Sequence, residues 1–106
     1  MYIICFSYVG MTEVKITRRF EKLLRRLAPD IAEHILTASQ VLKDNPLAGK
    51  LLRGYYEVRV EDQVIRARLR SLRVGDYRVI YWYDSREDIV WLLLVGHRKW
   101  IYKKLK

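Results

Sequence analysis

Six arginines and two aromatics hold most of the chemistry this sequence can offer: Arg66, Arg68, Arg70, Arg73, Arg78 and Arg98, followed by Trp100 and Tyr102. A guanidinium is planar, permanently charged and rich in N–H donors, which suits it to phosphate. In the run VIRARLR, Arg66, Arg68 and Arg70 alternate, so a single strand would project all three from one face, with Arg73 just beyond. Neighbouring guanidiniums repel unless anions lie between them, so this ladder predicts a polyphosphate track. Pairing with Glu57, Glu61 or the acidic pair Glu87 and Asp88 is the structural alternative, and an acidic partner protein is a third. Arg78 follows the Gly75-Asp76 turn pair and Arg98 follows Gly96, so antiparallel pairing of their strands would bring the two guanidiniums together. Trp100 and Tyr102 lie next to Arg98, where a ring could stack on an unpaired base, and Lys103 adds a further phosphate contact.

Other chemistries find less support. His97 alternates away from Arg98 and reads as a structural hydrogen-bonding residue, while His34 lies mid-helix at the surface. The two histidines lack metal-ligand spacing, and Cys5 is the only cysteine, so neither a disulfide framework nor a cysteine metal site is available within the chain. No Ser-His-Asp arrangement, paired carboxylates or glycine-rich phosphate loop stands out, and no metal or cofactor is implied. The cysteine usage fits a cytoplasmic protein. A net charge of +9 favours polyanionic partners, and the excess is greater beyond Leu52, with thirteen basic against seven acidic side chains, than before it, with eight against five.

The elements that must position these residues follow from periodicity. A chain of 106 residues supports one core, and at 51% hydrophobic it can build one. Residues 1–10 are apolar but lack a basic leader and are too short to span a membrane, so they read as an extension of uncertain role before a domain at 11–106. Residues 12–17 alternate as a first strand. Phe20, Leu23, Leu24 and Leu27 recur at helical spacing under a basic back, and Pro29 with Asp30 opens a second helix carrying Ile31, Ile35, Ala38 and Leu42. Two alternating segments, 55–60 and 64–70, flank a Glu61-Asp62-Gln63 turn, and a strongly apolar hairpin over 72–102 completes the sheet. Residues 89–95 are nearly all apolar, which predicts a central strand covered at least partly on both sides. The fold class is α+β: a strand and helical hairpin packed on a curved antiparallel sheet of four to five strands.

These residues resemble the RelE/ParE toxins of bacterial and archaeal toxin-antitoxin systems. The resemblance covers about residues 11–104 and rests on TEVKITRRFEKLLRRL, a loop ending LLRG, then LRVGDYRVIYWYD and LLLVGHRKWIY in that order. It implies a RelE-like type II toxin that cleaves mRNA in the ribosomal 30S A site without metal, the substrate's own 2′-hydroxyl attacking the adjacent phosphate. By motif position, Arg78 of GDYR would stabilise the phosphorane, Arg98 of VGHR would assist the leaving oxygen, and Tyr102 would stack or orient the base. A well-placed donor of this kind contributes about 3 to 4 kcal/mol. The partners implied are a cognate antitoxin, in a hetero-oligomeric complex, together with mRNA and the ribosome.

The sequence departs from the pattern just upstream. RelE-like chains often carry basic residues two apart before this motif, whereas Leu69 and Ser71 stand there now, and the arginines sit at Arg66, Arg68, Arg70 and Arg73. Arginine, with a pKa above about 12, is a poor proton acceptor, so the general base is left unassigned. The EDQVIRA insertion lengthens the sheet beyond the usual pattern. Two alternatives stand beside the interferase: a ParE-like inhibitor that binds DNA gyrase without chemistry, and a degenerate toxin acting only as a regulator.

Overall fold

Residues 11–105, which the computed structural model describes, fold into β1 (Glu13–Ile16), α1 (Arg18–Arg25), α2 (Pro29–Ser39), α3 (Val41–Asp44), β2 (Lys50–Leu51), β3 (Tyr56–Val60), β4 (Gln63–Ala67), β5 (Arg70–Val74), β6 (Tyr77–Asp84), β7 (Ile89–His97) and a 3-10 helix (Ile101–Leu105). The expectation for residues 1–10 lies outside the described residues. Five strands form one sheet in the order β1-β7-β6-β5-β2, and β3 with β4 forms a separate two-stranded ribbon.

The apolar run of β7 explains this order. Val90, Leu92, Leu93, Leu94 and Val95 are all buried, and a strand without a polar face is stable only when neighbours and layers cover it. Strands flank it on both sides, as its composition predicts. The sheet is mixed rather than wholly antiparallel, because β1 runs parallel to β7, pairing Glu13 with Ile89 and Ile16 with Leu92. Thr17 fixes that edge. Its hydroxyl accepts the Phe20 N–H at 3.2 Å as the cap of α1 and donates to the Leu92 carbonyl at 3.0 Å, so one residue both starts the helix and docks it on β7. Phe20, Leu23 and Leu24 then bury the apolar stripe of α1.

Pro29 occupies the first turn of α2, where its missing N–H leaves no helical bond unmade. The helical stretch breaks near Gln40, and α3 is a single further turn. Buried Ser39 donates back to the Ile35 carbonyl at 2.8 Å, a local bond that competes with regular helix geometry at the break. Beyond Pro46 the chain is clamped to the sheet by Tyr81, whose hydroxyl donates to the Pro46 carbonyl at 2.7 Å and accepts the Gly49 N–H at 2.9 Å.

The largest difference from the sequence reading lies at residues 64–70. They are not one strand. The β4 ribbon ends at Ala67, Leu69 is fully buried, and Arg70 begins β5 in the other sheet. The arginine ladder therefore divides between two structures.

Candidate functional site

Register assembles the site from three strands. In the β5–β6 hairpin Arg73 stands directly opposite Arg78 and Ser71 opposite Ile80, while across β6–β7 Arg78 pairs with Gly96 and Ile80 with Leu94. Cross-strand partners share a face, so Ser71, Arg73, Arg78, Ile80, Leu94 and Gly96 all present one side of the sheet. The other side carries Val74 and Tyr77, which meet Asp30, Ile31, His34 and Ile35 of α2. The turn between β5 and β6 needs Gly75, at φ +60°, because L side chains rarely adopt that conformation.

The segment after β7 returns over the first face. Ile101 is fully buried and anchors the 3-10 helix. The Trp100 ring packs closely against Gly96, and a Cβ at that position would collide with it. Tyr102 and Ser71 share a hydrogen bond between hydroxyls at 2.9 Å, and the Lys104 ammonium stands 5.1 Å from the Trp100 ring centre. Backbone strain contributes little here, since the ring is held by sheet geometry that only glycine permits.

The Arg78 guanidinium is fixed by its own turn, with Nη1 donating at 2.9 Å to the carbonyls of both Gly75 and Tyr77. Among the described residues its other N–H groups have no hydrogen-bond acceptor. Arg98 sits at the rim of the same end: its backbone N–H donates to the Asp76 carbonyl at 2.8 Å, and its Nε lies 3.7 Å from the Asp76 carboxylate. Both side chains of that ion pair are more than half exposed, so it contributes about 0 to 1 kcal/mol and exchanges readily for another anion. His97 points to the helical side, where it packs edge-on against Tyr77 with ring centres 5.6 Å apart and accepts the Lys99 N–H at 3.1 Å. This agrees with its reading as a structural residue.

The sequence-derived residues thus separate into three groups. Arg73, Arg78, Trp100 and Tyr102 share the open face, with Arg98 at its rim and Lys103 exposed on the 3-10 helix. Arg70 is turned away and committed to the chain's own carbonyls, bonding Gly49 at 2.9 Å and Leu47 at 3.4 Å. Arg66 and Arg68 lie on the ribbon, 5.6 and 5.8 Å from the ring of Tyr55. Among the described residues none of these arginines except Arg98 forms an ion pair, so the pairings considered for Glu57, Glu61 and Glu87 are not made. Sequence reasoning missed two members. Ser71 was visible as the i−2 neighbour of Arg73 on an alternating strand, and Tyr55, 60% exposed, alternates with Glu57 and Arg59 on the outer side of β3.

A groove of about 1060 Å³ adjoins the open face, walled on one side by β3 and on the other by Arg18 and Arg19 at the start of α1, with Trp91, Leu93 and Leu94 in its floor. Leu93 and Leu94 reach the floor together because the register slips between Ile80 and Tyr81, Ile80 facing Leu94 and Tyr81 facing Leu92. Two tyrosines near the strands have hydroxyl pKa values raised above the usual value. Burial drives the rise at Tyr81, opposed by the Gly49 hydrogen bond and the Arg70 charge, and the hydrogen bond to the Asp88 carboxylate drives it at Tyr83.

Comparison with known proteins fits this architecture. The family model of the ParE toxin of type II toxin-antitoxin systems matches residues 14–102. The chain belongs to this toxin family. The toxin's fold is similar to that of a chain in the RelBE2 toxin-antitoxin complex of Mycobacterium tuberculosis, at 28% identity and a TM-score of 0.61, covering 83% of this chain and 92% of that one. It is also similar to a chain of the archaeal RelE-RelB complex of Pyrococcus horikoshii, at 24% identity and a TM-score of 0.63, covering 83% and 96%. The isolated E. coli RelE toxin shares the fold at 20% identity, with a TM-score of 0.60 over 88% of this chain and 93% of that one. No curated protein sequence matches it. Among the described residues of the toxin, no helix is long and apolar enough to cross a membrane.

Proposed function

We propose that this toxin is a RelE-like endoribonuclease that cuts mRNA in the A site of the cytoplasmic ribosome and is silenced by a cognate antitoxin in a hetero-oligomeric complex. The observation that carries this reading is the open face itself: Arg73 and Arg78 stand opposite each other, with no carboxylate partner among the described residues, beside a Tyr102 hydroxyl anchored on Ser71. Two facing cations destabilise the empty face and are relieved by an anion between them, as a scissile phosphate would be. The fold shared with chains from RelE-RelB complexes supports an antitoxin partner.

In this reading the 2′-hydroxyl of the RNA gives up its proton to water and its oxygen forms a bond to the adjacent phosphorus, while the bond to the 5′-oxygen of the next nucleotide breaks and that oxygen takes a proton from water. Arg78, already oriented by two carbonyls, bonds the phosphorane oxygens as charge builds on them. Arg98 leaves Asp76 to assist the departing oxygen, and Tyr102 and Trp100 hold the base by stacking. The guanidiniums contribute charge and geometry rather than proton acceptance, because they stay protonated throughout.

Primer extension on a translated mRNA, with and without ribosomes, tests this with the wild-type chain and the Arg78→Ala, Arg98→Ala variant. Ribosome-dependent cuts that vanish in the variant support it. The match to the ParE family model favours a second reading, inhibition of DNA gyrase without chemistry. Absence of cuts, with toxicity retained in the double variant, would turn the choice to that reading.

A further inference from the structure

We propose that the outer face of the β3–β4 ribbon is a second RNA-contacting surface, in which Tyr55 stacks on a base and Arg59, Arg66 and Arg68 grip the neighbouring phosphates. This rests on the RNA-directed reading above for the class of ligand, and it concerns a part of the molecule separate from the Arg73 and Arg78 face.

The placement follows from register. Glu57 faces Arg66, Arg59 faces Val64, and Tyr56 faces Ala67, so Tyr55 adjoins Arg68. Alternation divides the ribbon cleanly: Tyr56, Val58, Val60, Ile65 and Ala67 pack towards the core, while Tyr55, Glu57, Arg59, Val64, Arg66 and Arg68 are exposed. Tyr55 and Val64 are each 60% exposed on this face. The guanidiniums of Arg66 and Arg68 lie over the Tyr55 ring, 5.6 and 5.8 Å from its centre. Arg68 is further pinned by a 3.1 Å bond from Nη2 to the Leu52 carbonyl. The result is an exposed ring with two guanidiniums over it, aromatic and cationic groups of the kind that hold single-stranded nucleic acid without reading its sequence.

Charge agrees with this assignment. Glu57 on the face and Glu61 with Asp62 at the ribbon's turn are the acids nearest to it, and among the described residues no carboxylate lies within ion-pair distance of Arg59, Arg66 or Arg68. Arg66 and Arg68 are about 6.6 Å apart along the strand, a spacing suited to successive phosphates of an extended chain. The ribbon is also separate from the five-stranded sheet, so its outer face lies apart from the arginine pair on the open face.

The test is fluorescence anisotropy of the full chain with a labelled oligouridylate of about 12 nucleotides, a length within the range of single-strand sites, over a series of KCl concentrations. Replacing Arg59, Arg66 and Arg68 by Gln should flatten the dependence of log affinity on log salt by about 2, from roughly 0.7 per lost phosphate contact. Tyr55→Ala should weaken binding about tenfold. Lysines at the three arginine positions should keep most of the salt dependence, which separates charge from packing. An unchanged salt slope in the Gln variant, or no binding by the wild-type chain, overturns the proposal. So does a Gln variant that keeps its RNA affinity but no longer holds its antitoxin, since the face would then serve a protein. Because binding and cleavage are read separately, failure to cut mRNA leaves this result standing on its own.

Discussion

Arg70 and Arg78 sit on neighbouring strands and face opposite sides of the same sheet, and they illustrate how the two sides differ. On the helical side, Arg70 closes the loop after α3 by donating to the Leu47 and Gly49 carbonyls, and Tyr81 completes the clamp through Pro46 and Gly49. On the open side, Arg78 donates through a single nitrogen to its own turn, with Arg73 opposite it and in no ion pair among the described residues. The same residue type is structural where its donors end on the protein's own carbonyls and available for ligands where they do not. Burial alone would not make this distinction, because both arginines are partly buried.

Changes to the open side should strike activity, and changes to the helical side stability. The largest effect is expected from Arg73→Ala with Arg78→Ala, which should lower the rate of ribosome-dependent cleavage by at least 10²-fold while the melting temperature holds or rises, as two facing cations are removed. A fall of several degrees with cleavage intact would mean that the pair is structural. Next, Gly96→Ala must push Trp100 off the strand, and a urea titration should register a loss of about 1 to 3 kcal/mol accompanied by weaker cleavage. A silent Gly96→Ala would show that the ring is not held there.

On the helical side, Tyr81→Phe leaves the buried Gly49 N–H without its acceptor and should cost about 1 to 3 kcal/mol with cleavage per folded molecule unchanged. Its pH dependence has a definite sign. The hydroxyl's pKa is raised in the folded protein, so its contribution is complete below the unfolded value of about 10 and is lost as pH rises through the folded value. Denaturant midpoints measured from neutral to strongly alkaline pH should therefore fall more steeply for wild type than for Tyr81→Phe. Parallel curves would show that another tyrosine carries the effect. The smallest change is expected at Asp76→Asn, where loss of an exposed ion pair should alter stability by less than about 1 kcal/mol and vanish at high salt.

Much of this architecture was legible in the sequence, and the exceptions share a cause. The apolar continuity of residues 89–95 gave a buried strand with neighbours on both sides, and turn chemistry at Gly75 located the β5–β6 hairpin that sets Arg73 opposite Arg78. What periodicity could not supply was a change of partner within an alternating run. Residues 64–70 contain neither Gly nor Pro, yet the chain leaves the ribbon after Ala67 because Leu69 has a core site to fill. Alternation reports which residues share a face of a strand, but not whether the strand continues in the same sheet. The Ser71–Tyr102 bond escaped for a related reason, since it joins residues 31 positions apart through the docking of the 3-10 helix. At the candidate site, residue types pointed to phosphate, whereas the choice of which arginines remain available required the loop carbonyls that capture Arg70.

The parallel pairing of β1 with β7 also sets an order in time. Glu13 meets Ile89, 76 residues later, so the edge strand has no partner in the sheet until almost the whole domain has been synthesised. Contacts of such long sequence separation close late and slowly. The strands that carry Arg73, Arg78 and Gly96 belong to the same late-formed half. Until β7 has been made, the chain therefore lacks the three-strand face that carries Arg73, Arg78 and Gly96, and both edges of β7, against β1 and against β6, close at the same late step.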